Sequence, residues 1–314
     1  MKLAFVFPGQ GSQSVGMLAP FADDAIVQDA VQRASAALGE DLARLMAEGP
    51  AEQLALTVNT QPCMLTAGYA FYLAWRAAAG AAPAVMAGHS LGEYTALTAA
   101  DALSLEDAVR LVRFRAQVMQ EAVPVGTGGM AAILGLSDEQ VEQACAEVRS
   151  DGDVVEAVNF NAPSQVVIAG HTAALGRACA AAKRLGAKRA VPLPVSVPFH
   201  SSLLAPAAAR LRARLAQMVL AAPTVPVLNN IDVAIESDPD RIRDALARQA
   251  AGPVRWAQIV RQMAADGVTH VIECGPGRVL AGLTQRIVPT LKSLAITDPA
   301  SLQDTLDKTR GADR

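Results

Sequence analysis

Three observations predict an α/β fold for this chain of 314 residues. Strand-like and helix-like patterns alternate along it. Its composition is 52% hydrophobic and 18% charged, enough to bury a core and too apolar for extensive disorder. One segment, residues 128–194, reads strand–helix–strand–strand–helix–strand, the βαββαβ order of a ferredoxin-like unit. A small domain inserted into a larger one is therefore expected, with 1–127 and 196–314 forming the large unit and 128–195 the insert.

In chain order, Lys2 to Phe7 is a compact apolar run that predicts a buried first strand, followed by a Gly/Ser/Gln loop to Gly16. Helical patterns fill most of residues 24–79. Ala84 to Ala87 predicts a short buried strand that feeds into "GHSLGEY" at 88–94. Helical periodicity resumes at Leu91 and runs, with a break near Asp101 to Ser104, to about Ala122. In the insert, "GMAAILGL" predicts a strand, and "SDEQVEQACAEV" predicts a helix with Ser137 as N-cap and Gln140 completing a capping box. "VVEAVNFN" and "QVVIAGH" predict two strands joined at Ala162-Pro163-Ser164. "TAALGRACAAAKRLG" predicts a helix ended by Gly186, and "KRAVPLP" a last strand. Beyond it come a helix over Leu203–Leu220, a strand over Val225–Asn229, two more helices and a buried strand over Val268–Cys274.

Bulk properties narrow the function classes. The net charge is −3 and no long basic run exists, which gives nucleic-acid binding little support. Cys63, Cys145, Cys179 and Cys274 are scattered, with no CxxC and no zinc-type spacing. Reduced thiols in a cytoplasmic protein are expected, with no metal. The N-terminal apolar run is too short for a signal-peptide core, and the apolar stretch Ala77–Gly88 is broken by Gly80 and Pro83, so no membrane association is expected.

The chemistry-bearing positions start with Gly88-x-Ser90-x-Gly92. An apolar strand before it and an amphipathic helix after it make this the context of a nucleophile elbow, with Ser90 raised at a tight turn and the Leu91 N–H aimed at a developing oxyanion. An ordinary strand–helix turn with an N-cap serine has the same appearance. A serine nucleophile needs a base. Of the four histidines, His89 adjoins Ser90 and is expected to aim elsewhere, while His171 and His270 fall at or within predicted strands. His200, in the loop "VSVPFHSS", is the candidate.

Periodicity singles out Arg115. In "SLEDAVRLVRFRAQVMQ" a helical wheel places Ala108, Leu111, Val112, Val118 and Met119 on one face with Arg115 in its middle, and Arg110 and Arg113 on the opposite, polar side. An inward arginine needs an anion. Either an internal carboxylate or a bound substrate carboxylate satisfies that need. The loop "FPGQGSQ" after the first strand sits where open α/β sheets place their sites and has an N–H to spare for an oxyanion.

"FPGQGSQ", "GHSLGEY", the inward Arg115, "VPFHS" and "ECGPGRVL", in that order, resemble the malonyl-CoA:acyl carrier protein transacylase family of bacterial fatty acid synthesis, over nearly the whole chain. The resemblance implies an α/β-hydrolase-like core with the ferredoxin-like insert. It implies Ser90 as nucleophile, His200 as its base and Arg115 as the malonyl carboxylate's partner. Gln10 and Leu91 would supply the oxyanion N–H groups, and the backbone carbonyl of Gln249 would orient the imidazole. Phe199 would disfavour a 2-methyl branch, and Asn159 and Asn161 would line the cleft. The implied partners are malonyl-CoA and an acidic acyl carrier protein, met by a basic rim of Lys183, Arg184, Lys188, Arg189, Arg210, Arg212 and Arg214. Coenzyme A enters as a thioester substrate, no cofactor is implied, and a monomer is expected. The acyl-loading subunit of malonate decarboxylase and a trans-acting polyketide acyltransferase share every one of these motifs. A serine hydrolase would have no use for Arg115, and a non-catalytic carrier-docking module would form no acyl-serine.

Overall fold

The computed structural model describes residues 1–150, 152–195 and 197–310. Residue 196, where the second large-unit segment is expected to begin, and residues 311–314 at its end lie outside the described residues.

Strand β1 (Leu3–Phe7) is followed by helices α1 (Ala25–Leu38), α2 (Leu42–Glu48), α3 (Ala51–Ala55) and α4 (Thr57–Ala77). Next come β2 (Val85–Gly88), α5 (Gly92–Ala99) and α6 (Leu105–Glu121). The middle of the chain holds β3 (Gly128–Leu134), α7 (Asp138–Glu147), β4 (Val155–Ala162), β5 (Gln165–His171), α8 (Thr172–Arg184) and β6 (Arg189–Pro192). The chain then adds α9 (Ala205–Leu215), β7 (Val227–Leu228), α10 (Pro239–Gln249) and α11 (Trp256–Ala265). It ends with β8 (His270–Cys274), α12 (Val279–Ile287), β9 (Lys292–Ile296) and α13 (Pro299–Arg310).

Two sheets result. The first is five-stranded and parallel, in the order β7-β2-β1-β8-β9. Every residue of β1 and β2 is buried, as strands covered on both faces must be, which is why they read as continuous apolar runs. Alternation still sorts them. Leu3, Phe5 and Phe7 pack into the core shared with α1, α4 and α6, whereas Ala4 and Val6 face α11 and α12. The second sheet is four-stranded and antiparallel, in the order β4-β5-β3-β6, and closes its own core against α7 and α8. Ser137 and Gln140 form the capping box of α7. Strand β4 is tied through the backbone to the segment between α10 and α11: Phe160 donates to the Val254 carbonyl at 2.9 Å and Val254 to the Val158 carbonyl at 2.8 Å.

Several expected elements change length. The helix expected over Leu203–Leu220 begins with a 3-10 turn at Ser202–Leu204 and ends at Leu215, so only its first three turns hold. The strand expected over Val225–Asn229 is reduced to Val227–Leu228, because Asn229 and Asn230 turn out of the sheet. Asn229 Oδ1 accepts from the Asp232 N–H at 2.7 Å, and Asn230 serves the active site. The strand expected from Val268 starts at His270, and the edge strand β9 and its helix α13 go unanticipated. Among the described residues no helix is long and apolar enough to cross a membrane.

Candidate active site

Ser90 stands between β2 and α5 with φ +53°, a left-handed conformation that a residue with a Cβ holds only under constraint, at about 1–3 kcal/mol. The constraint is visible. A Cβ on Gly88 would lie 1.8 Å from Gly92 C, and one on Gly92 2.0 Å from Phe7 O, so only glycines let the turn close on itself and on the loop after β1. Asn230 pins the turn from the far side. Its Oδ1 accepts from Ser90 N at 2.6 Å and its Nδ2 donates to Gly88 O at 2.7 Å.

His200, 4% exposed, also has a positive φ, +66°, and brings Nε2 to 2.7 Å from Ser90 Oγ. Its Nδ1 lies 2.8 Å from the backbone carbonyl of Gln249. A carbonyl only accepts, so Nδ1 carries the hydrogen and Nε2 presents its lone pair to the serine hydroxyl. Burial first, and the charge of Arg115 second, push the imidazole down to about 3, so the ring is neutral at neutral pH and its Nε2 lone pair is free.

Arg115 is 2% exposed. Its Nη1 donates to Gln61 Oε1 at 2.8 Å, and its Nη2 to Gln249 Oε1 at 3.0 Å and to Ser90 Oγ at 3.1 Å. The Tyr94 ring lies 5.2 Å beneath the guanidinium. Among the described residues it forms no ion pair: its acceptors are neutral oxygens. Of the two anions that sequence allows, the internal carboxylate in direct contact is not there. The nearest relevant one, Glu93, touches Gln249 Nε2 instead, at 2.9 Å. Burial raises the Glu93 carboxyl to about 7, against the lowering effect of its hydrogen bonds from Gln249 and Asn230 and the charge of Arg115.

The Gln10 loop folds over the elbow, close enough that a Cβ on Gly9 would sit 2.6 Å from His89 O and 3.8 Å from Leu91 N. Gln10 Oε1 accepts from Thr57 Oγ1 at 3.2 Å, which anchors that residue's side chain. Among the described residues the backbone N–H groups of Gln10 and Leu91 have no protein acceptor. Phe199 is half-buried between the large core and the apolar face of the small sheet. Of the two asparagines expected to line the cleft, Asn161 Oδ1 lies 2.8 Å from His89 Nε2, so His89 does aim away from the nucleophile, while the buried Asn159 Oδ1 has no hydrogen-bond partner among the described residues. His171 accepts from Val154 N, and His270 neighbours Thr269, far from this chemistry.

A cavity of about 420 Å³ opens beside His200, between Arg149 and Glu156 of the small unit and Ser202, Gly252 and Pro253 of the large one. Glu156 accepts from both Ser202 N, at 2.7 Å, and Ser202 Oγ, at 2.9 Å, fixing the residues next to His200. Of the rim cations, Arg184, Arg210 and Arg212 face carboxylates of their own, Glu147, Glu121 and Asp244.

Sequence reasoning misses Gln61, Glu93, Asn230 and the side chain of Gln249. Glu93 carries a signal: α5 is buried all round, so a carboxylate in it must lie inside. Gln61, on a likewise buried helix, carries the same one.

Comparison with known proteins places this geometry. The acyl transferase domain model matches residues 4–310. A malonyl CoA-acyl carrier protein transacylase of Escherichia coli is 56% identical over 307 residues, covering 98% of this chain and 99% of the relative. The crystal structure of an acyl-carrier-protein S-malonyltransferase from Burkholderia pseudomallei superposes with TM-score 0.96 at 64% identity, covering 98% of this chain and 100% of the other. A malonyl-transacylase solved in complex with a type II polyketide acyl-carrier protein gives 0.96 at 48% identity, with the same coverage.

Proposed function

Since the chain belongs to the acyl transferase domain family, and within it to the malonyl-CoA–acyl carrier protein transacylases, we propose that Ser90, His200 and Arg115 carry that family's reaction here. The enzyme moves a malonyl group from malonyl-CoA to acyl carrier protein. The observation that carries the residue assignment is the placement of a buried arginine without a carboxylate 3.1 Å from a serine oxygen that already faces a neutral imidazole. A malonyl group on Ser90 bears its carboxylate on the carbon next to the ester carbonyl, within reach of that guanidinium.

The chemistry follows in two halves. Ser90 Oγ attacks the thioester carbon as His200 Nε2 takes its proton, and the Gln249 carbonyl, bonded to Nδ1–H, stabilises the imidazolium. The tetrahedral oxyanion falls to the Gln10 and Leu91 N–H groups, each worth about 3 kcal/mol in such a site. The C–S bond breaks and coenzyme A leaves with the proton from His200. The carrier's phosphopantetheine thiol then enters, with the cavity beside His200 as its approach. It gives its proton to Nε2 and attacks the malonyl-serine ester, and Ser90 leaves with that proton. Phe199, next to His200, crowds a branched acyl chain. The carrier is acidic and docks where Lys183, Lys188, Arg189 and Arg214 lack carboxylate partners among the described residues. Added salt then raises the Michaelis constant for the carrier but not for malonyl-CoA.

Intact-mass measurement after incubation with malonyl-CoA tests the reading. One malonyl adduct is expected on the unaltered protein and none on Ser90→Ala. An unaltered protein that gains no adduct overturns it.

A further inference from the structure

The Gln249 side chain is fully buried and its amide meets three groups. Nε2 donates one hydrogen to Ser90 O at 3.0 Å and the other to Glu93 Oε2 at 2.9 Å, while Oε1 accepts from Arg115 Nη2 at 3.0 Å. Turned over, the amide would set its oxygen against two acceptor oxygens and its hydrogens against a guanidinium, which has no lone pair to offer. The orientation is thus decided by the acceptors on the Nε2 side. Each of these oxygens also accepts one backbone N–H, Ser90 O from Glu93 N at 3.1 Å and Glu93 Oε2 from Asn230 N at 2.8 Å, and of the two the carboxylate oxygen is the stronger acceptor. Glu93 is itself held by the Asn230 N–H at 2.8 Å, from the residue that also pins the elbow.

We infer that Glu93 is a positioning residue, which fixes the sense of the Gln249 amide so that Arg115 is held on a neutral oxygen beside Ser90. Its carboxylate stands one amide away from the guanidinium. In direct contact it would occupy the donors that an acyl carboxylate needs; at this remove it orders Arg115 without competing for it. Glu93 touches no reacting atom, and its effect reaches the substrate only through Gln249 and Arg115. The inference rests on malonyl transfer as the activity.

The test compares Glu93→Met, which keeps bulk but offers no oxygen acceptor, with Glu93→Gln, whose amide oxygen still accepts from Gln249 and Asn230. Both are assayed for loading from malonyl-CoA and from acetyl-CoA, with melting curves to verify folding. In Glu93→Met the malonyl-to-acetyl ratio of kcat/KM is expected to fall about tenfold, through KM for malonyl-CoA, as for loss of one hydrogen bond to a charged group. Glu93→Gln is expected to rescue most of that loss. A merely structural glutamate predicts equal losses for both acyl groups. That result, or a Glu93→Gln as impaired in the ratio as Glu93→Met, overturns the inference. Should Glu93→Met fail to fold, Glu93→Ala removes the same acceptor without new bulk and leaves Gln249 in place. A fall in the ratio then supports the inference and equal losses overturn it. The unaltered protein run alongside separates the two readings: without malonyl loading there, the function itself is misread, whereas normal loading there with an unchanged ratio in the variants removes only the role of Glu93.

Discussion

The two faces of α6 carry the same residue type to opposite ends. On the outer side, Arg110 lies 3.6 Å from Asp107 and bonds the Ala37 carbonyl, and Arg113 pairs with Glu40 and bonds Asn59. On the inner side Arg115, five residues after Arg110, is buried among apolar neighbours and, among the described residues, donates only to amide and hydroxyl oxygens. The outer arginines have their countercharges built in. The inner one has its positions fixed and its charge left uncommitted, at a desolvation cost that a purely structural role would not require. The difference separates a cation that holds the fold from one that waits for a ligand.

The sharpest way to break the comparison is Arg115→Ala. If the inner face exists for an acyl carboxylate, loading from malonyl-CoA falls by about a hundredfold or more, the effect of truncating one partner of a buried charge pair. Loading from acetyl-CoA, which has no carboxylate, falls far less. Parallel losses on the two thioesters would leave Arg115 a structural cation like its outer neighbours.

How much of this was legible beforehand divides along the same line. The inward turn of Arg115 follows from helical period alone, as do the buried strands β1 and β2 and the capping box of α7. Arg113 was assigned by the wheel to the polar side, yet its side chain is only 14% exposed, because Glu40 and Asn59 from other elements cover it. No periodicity within one helix reports that. The carboxylate-free surroundings of Arg115 are equally invisible, since Gln61, Gln249 and Glu93 come from three other helices, α4, α10 and α5. The shortened β7 shows the same limit. The strand expected to run to Asn229 stops at Leu228, because Asn229 bonds the Asp232 N–H and the following Asn230 bonds the elbow. Local pattern finds which residues are inside, and only the assembled fold decides which of them meet.

A smaller effect concerns the base. Burial and then the Arg115 charge both disfavour the imidazolium of His200, so its depressed pKa keeps Nε2 free well below the usual histidine range. A base with the ordinary pKa would lose about tenfold in kcat/KM between neutrality and pH 5.5. Acetyl loading by the unaltered protein is expected to change by less than about twofold over that range. In Arg115→Ala the second largest of these causes is gone and the acid limb moves up toward neutrality. An acid limb at the same pH in both proteins would show that the inner cation does not act on His200.

On the outer face the expected effects are on stability alone, and they shrink as exposure grows. Arg113→Ala removes a pair whose arginine is mostly covered, and a loss of about 1 kcal/mol in urea unfolding is expected, at the upper end for such pairs.

Arg110→Ala should do least. Its side chain is 47% exposed and that of Asp107 49%, the 3.6 Å pair is screened by water and salt, and the bond to Ala37 O leaves a carbonyl that solvent can satisfy. Asp107 keeps a role without it, since Ser104, the N-cap of α6, donates its hydroxyl to that carboxylate and accepts from the Asp107 N–H. The unfolding free energy is therefore expected to change by less than about 0.5 kcal/mol, with malonyl loading unaltered. A larger loss that vanishes in high salt would mean the outer charges act as a coupled network. A loss of loading at unchanged stability would place an outer arginine in the substrate's path and erase the distinction between the two faces.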